Sequence, residues 1–195
     1  MPHGEMTTSR LEAFSDGVIA VVVTIMVLEM HAPAQPTLPA LLKVAPVFFS
    51  YGLSFLVVAI MWVNHHHLIH VARQVTARLL WSNLNLLFWM SLVPFVTDFM
   101  GKNYREPMAV ALYGLDLFLC SCAFYILRME LARQEESNPE MAEHHAAMQR
   151  KNAMSAALYF SSVPLAYVSI YASFFIFALI PAIYFLPEKK LAADE

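Results

Sequence analysis

Charge is scarce in this chain. Only 14% of its 195 residues are charged, while 59% are hydrophobic. Soluble domains carry about 25% charged residues, so an integral membrane protein is expected. The net charge of −3 offers no basic footprint for nucleic acid. Cysteine is scarcer still, with Cys120 and Cys122 alone. A C-x-C pair in a helix points to different faces, which suggests neither a disulfide nor a metal site, only packing. Also missing are a T-V-G-Y-G-like carbonyl filter, a phosphate-binding glycine loop, an H-E-x-x-H motif and an arginine-rich voltage-sensor helix. No nucleophile–base pairing stands out, so nothing asks for an enzyme. No basic n-region precedes the first apolar run and no small-residue cleavage site follows it. That run is therefore expected to stay in the mature protein.

What the chain has instead is long apolar runs. Six are expected as helices, at about 11–30, 43–67, 79–100, 107–128, 152–168 and 170–186. Together they form a single six-helix transmembrane domain over residues 1–195. At about 1.5 Å per residue each can cross a core of about 30 Å, some only barely. The segment 31–39, with three prolines and no charge, reads as a loop; the polar segment 129–151 reads as a loop with helical pieces. The last two runs are nearly continuous, so the turn between them must be very short. With the N-terminus inside, nine Lys and Arg fall on the inner side (Arg10, Arg73, Arg78, Arg128, Arg133, Arg150, Lys151, Lys189 and Lys190). Three fall outside: Lys43, Lys102 and Arg105. This bias places both termini in the cytoplasm and requires an even number of spans. A chain of this size has little room for a private pathway, which makes a homo-oligomer around a shared axis attractive.

The polar residues inside the runs are the candidates for function. Arg10, Ser15 and Asp16 open the first run. Further along it, Val21, Thr24, Ile25 and Leu28 share one face, by i, i+3, i+4, i+7 spacing. That face can line a pore or simply pack. Asp16 lies about 140° from Val21 and Arg10 within about 20° of it. Asp16 should therefore face neighbouring helices, as an inter-helix hydrogen-bond lock or as a proton or cation site, and a simple Arg10–Asp16 pair does not fit. Trp62, Asn64, His65, His66, His67 and His70 end the second run. They read as interfacial and inter-helix hydrogen bonding, with metal binding by the i, i+4 pair His66 and His70, or pH sensing, as alternatives. Trp81, Asn83 and Asn85 open the third run as inter-helix glue. Pro94, Pro164 and Pro181 read as kinks. Asp98 sits near an outer end, within reach of water. Asp116 lies about ten residues into an apolar run and should face the bundle, where Tyr113 or a helix-three group can satisfy it; the alternative is a functional carboxylate.

These residues carry a resemblance. R10-x-x-x-F14-S15-D16 matches the R-x-x-x-F-S-D signature of the transmembrane protein 175 family of potassium channels. Trp62 with the histidine cluster, then Asn83/Asn85 and Pro94-Phe95, are similar to helices two and three of that family. Helices four to six match in hydropathy only. A single six-span repeat resembles the prokaryotic members; animal members carry two. The resemblance implies an all-α channel, a homotetramer in the bilayer of a prokaryotic plasma membrane. Helix one would line the central pore. The ion would be potassium, with no cofactor and no bound metal. Val21 takes the place of a family Ile or Leu at the narrowest ring, Thr24 is the pore hydroxyl, and Ile25 and Leu28 form further apolar rings. A valine ring is shorter than the family's, which widens the constriction and weakens potassium-over-sodium selectivity. Arg10, Phe14, Ser15 and Asp16 are implied to hold helix one against helices two and three, with His65 or His66, Trp81 and Asn85 as partners.

Two rival readings stand beside this. One is a proton-permeable channel or proton-coupled carrier using Asp16, Asp116 and the His65–His70 cluster. The other is a membrane scaffold or metal-handling protein using His65–His70.

Overall fold

The computed structural model describes residues 7–72, 74–134 and 139–185, with side chains described through residue 134 and again from 148 to 184. Its described residues form seven helices and no strand. They are α1 (Thr8–Leu28), α2 (Leu38–Lys43), α3 (Ala45–His70), α4 (Ala77–Lys102), α5 (Pro107–Ala132), α6 (Pro139–Val168) and α7 (Ile170–Phe185). Four of them, α1, α3, α4 and α5, are long and apolar enough to cross a membrane.

Local chemistry sets several of the boundaries. Thr7 and Thr76 cap α1 and α4, each hydroxyl accepting a backbone N–H one turn on. α3 and α5 begin with a proline in the first turn, where a missing N–H costs nothing. Two boundaries differ from the sequence expectation. The proline-rich loop gives way early to α2, because Thr37 caps Ala40 and Pro39 fits the first helical turn. The segment 129–151, expected as a loop with helical pieces, is helical up to Ala132 and again from Pro139. Its polarity conceals strong helix formers (Ala, Glu, Met, Gln, Arg, Lys), and a helix outside hydrocarbon needs no apolar stripe. α3 also runs on to His70, which brings the whole histidine cluster onto one helix.

α5 is the centre of the bundle. It packs against α4, α6 and α7, and 61% of its most apolar window is buried, against 28% for α1 and 22% for α3. Gly114 permits the close approach: a Cβ there would collide with Ser162 Oγ and stand 3.3 Å from the Phe177 ring. α6 and α7 pack against each other across one non-helical residue, Ser169, and the Ser173 hydroxyl donates to the Ser162 carbonyl at 2.7 Å. Deeper in, Thr97 donates to Ser54 at 2.7 Å and Ser54 meets the Tyr113 hydroxyl at 3.0 Å, which joins α3, α4 and α5. Each hydroxyl supplies the partner that apolar surroundings withhold. Tyr113 is thus committed to Ser54 rather than to Asp116. The Asp116 carboxylate is buried and has no hydrogen-bond partner among the described residues.

Candidate functional site: helix one and its anchoring network

α1 has two faces of different fate. Leu11, Ser15, Ile19, Val22 and Met26 are buried against α3 and α4. On the other side Arg10, Phe14, Gly17, Val21, Thr24 and Leu28 form an exposed stripe at alternating steps of three and four, joined by Ile25. Val21 is 54% exposed and Leu28 74%. The Thr24 hydroxyl donates to the Val21 carbonyl at 2.9 Å. Its proton is thereby turned to the backbone, and the oxygen lone pairs are left on the exposed side.

The buried face is held by a chain of three side chains from three helices. Ser15 donates to the Leu11 carbonyl at 2.9 Å and accepts from Asn83 Nδ2 at 2.9 Å. Asn83 Oδ1 lies 2.7 Å from His65 Nε2. All three residues are fully buried. With the Asn83 amide donating to Ser15, its oxygen is an acceptor, so Nε2 is the protonated nitrogen of His65. Two contacts nearer the surface extend the network. Trp62 Nε1 donates to Asp16 Oδ1 at 2.9 Å, and His66 Nδ1 lies 2.8 Å from Glu12 Oε1. His66 also stacks on His70 at 6.1 Å.

The implied partners are therefore partly redistributed. His65 and His66 do meet α1. Asn83 stands where Asn85 was expected, and Trp62 where Trp81 was expected. Residues 83 and 85 are about 160° apart on a helix. Once Asn83 turns inward, Asn85 must face out, and it does, beside Trp81 at 71% exposure. Arg10 and Phe14 lie on the exposed stripe and outside the buried network, and Arg10 forms no ion pair among the described residues. Glu12 was not singled out in the sequence; the available signal was its i, i+4 spacing to Asp16, which puts both carboxylates on one face.

Long apolar helices joined by a few buried polar contacts define a multi-pass membrane protein. The relatives make the class narrower. Residues 10–94 match the family described as endosomal/lysosomal potassium channel TMEM175. A potassium channel of Chryseobacterium sp. (strain P1-3) is 36% identical over 187 residues, which cover 95% of this chain and 96% of the relative. The human endosomal/lysosomal proton channel TMEM175 is 33% identical over 99 residues, 44% of this chain and 20% of that protein. The crystal structure of a lysosomal potassium-selective channel TMEM175 homolog from Chamaesiphon minutus has the same fold, with a TM-score of 0.82 at 24% identity over 91% of this chain and 95% of that one. The chain belongs to the TMEM175 family. It is an ion channel of the membrane and not an enzyme.

Proposed function

We propose that the chain forms a potassium-selective cation channel, weakly selective over sodium, as a homotetramer with α1 around the central axis. The observation that carries this reading is the exposed stripe on α1. A helix whose far side is anchored by Ser15, Asn83 and His65 presents Val21, Thr24, Ile25 and Leu28 outward. Four copies facing one another would turn that stripe into a pore lining. The name of the Chryseobacterium relative agrees. Four Val21 side chains at one level would dewet the pore and block ions, and conduction would need α1 to rotate or splay. Next to that ring, four Thr24 oxygens, with lone pairs free, would contact a partly hydrated cation. Potassium holds its water less tightly than sodium, so such a site favours it modestly.

The same reading gives α6 and α7 as the fifth and sixth spans, both termini in the cytoplasm, and the plasma membrane of a prokaryote as the location. The outer stripes Arg10–Phe14 on α1 and Trp81–Asn85 on α4 would then meet between subunits. This would restore the expected partners across the interface rather than within the chain.

A second reading, proton permeation, is favoured by one observation: Asp116 is buried without a hydrogen-bond partner among the described residues. The human relative bears the name of a proton channel. Flux through purified protein in liposomes separates the two. Potassium flux above sodium flux supports the channel proposed. Proton flux without potassium flux overturns it and moves attention to Asp16, Asp116 and the histidines.

A further inference from the structure

A cavity of about 40 Å³, partly open to the outside, lies between α3, α5, α6 and α7. A single water needs about 10–15 Å³ on this measure, so the space takes a group with several heavy atoms. Its polar wall carries Asn64, Arg128, Asn152, Ser155 and Tyr184. Among the described residues, Arg128 is the only charged one lining it, with no carboxylate. Arg128 is only 7% exposed, its Nε has no hydrogen-bond partner among the described residues, and its guanidinium carbon lies 5.6 Å from the Phe124 ring centroid. A buried guanidinium without an anion is costly, because the desolvation penalty is not offset.

We propose that this cavity binds a phosphate-bearing anion with Arg128 as its anchor. The guanidinium fork matches two oxygens of a phosphate, which a spherical anion cannot offer. The other walls supply further donors. Ser155 gives its hydrogen to the Lys151 carbonyl at 3.0 Å, and the Tyr184 hydroxyl, 3.4 Å from Ser155, can turn its hydrogen to Ser155 or into the cavity. Asn152 spends one amide hydrogen on the Ser121 carbonyl at 3.2 Å and keeps the other. Depth fits as well. Arg128 lies in the last turns of α5, and Asn64 in the last turns of α3, next to His65. Helix ends of a membrane bundle stand at headgroup level, where basic pockets between helices take lipid phosphates. The phosphate can belong to a lipid headgroup or be free in solution. The site does not depend on which ion the pore conducts.

The test is the thermal unfolding midpoint of the full chain in an uncharged detergent. The ligands are dioctanoyl phosphatidic acid, inorganic phosphate, and dioctanoylglycerol as the tail without phosphate, all at matched ionic strength. Phosphatidic acid should raise the midpoint and dioctanoylglycerol should not. A rise with inorganic phosphate as well identifies a site for the anion itself; a rise with the lipid alone identifies a headgroup site. Arg128→Gln should weaken the response about tenfold or more. Without ligand it should unfold no earlier than the native chain, since it removes an uncompensated charge. Arg128→Lys should keep part of the response. Tyr184→Phe, which preserves the charge, should weaken it less and covers the case in which Arg128→Gln does not fold. A midpoint moved by neither phosphate, or an Arg128→Gln or Tyr184→Phe response equal to the native one, overturns the proposal.

Discussion

Asn83 and Asn85 are the same residue type two positions apart, and they should behave as opposites. Asn83→Ala removes two hydrogen bonds among fully buried groups, one to Ser15 and one to His65. Ser15 keeps its bond to the Leu11 carbonyl, so its loss is small. His65 Nε2 loses its acceptor, and a buried unsatisfied donor costs about 1–3 kcal/mol. Hydrogen bonds between membrane helices average about 0.6 kcal/mol, which pulls the total down. Asn83→Ala should therefore cost about 1–3 kcal/mol, towards the lower end. In one chain, Asn85→Ala should stay within about 0.5 kcal/mol, as for an exposed side chain. The assay is urea or thermal unfolding in detergent, run on protomers separated before measurement, so that contacts between copies do not enter. Ser15→Ala combined with Asn83→Ala should cost less than the sum of the two singles, because one bond is counted twice. Equal losses at 83 and 85, or a strictly additive double variant, would refute the three-helix network.

Three further outcomes follow from the same geometry. Trp62→Phe keeps the ring and removes the bond to Asp16; since Trp62 is 41% exposed, unfolding should show a loss of about 0.5–1.5 kcal/mol, smaller than for Asn83. Gly114→Ala should destabilise by about 1–3 kcal/mol through overpacking against Ser162 Oγ, and Ser162→Ala in the same chain should recover part of it in the same assay. Thr24→Val should fold and assemble normally but change the potassium-to-sodium flux ratio in liposomes, because it removes the oxygen on the exposed face without changing volume.

The sequence displayed the period of α1 but not the phase of α4. On α1 a single hydroxyl, Thr24, among apolar residues marked one stripe, and Asp16 marked a side turned to neighbouring helices. α4 is apolar nearly all round, so Asn83 and Asn85 gave two candidate inner faces with nothing local to choose between them; the packing of Ser15 and His65 chose. Trp62 was visible as part of the histidine cluster, but its reach to Asp16 depends on the crossing of α3 over α1, which no local pattern encodes. Glu12 escaped notice because a carboxylate at a helix start is ordinary, and its meaning comes from His66, more than fifty positions later. Pro139–Lys151 was partly concealed for the opposite reason: its polarity read as a loop with helical pieces, while its residue types are mostly helix formers.

The central claim is that Val21 faces the ion path. The most direct measurement uses Val21→Cys in a chain with Cys120→Ala and Cys122→Ala, reconstituted in liposomes and treated with a cationic thiol reagent during potassium flux. Phe175→Cys, at a position 66% exposed but on α7, is the control. The account predicts that the reagent abolishes flux through the Val21→Cys protein and leaves the Phe175→Cys protein conducting. Flux that persists through the fully modified Val21→Cys protein would contradict it, and α1 would not line the pore.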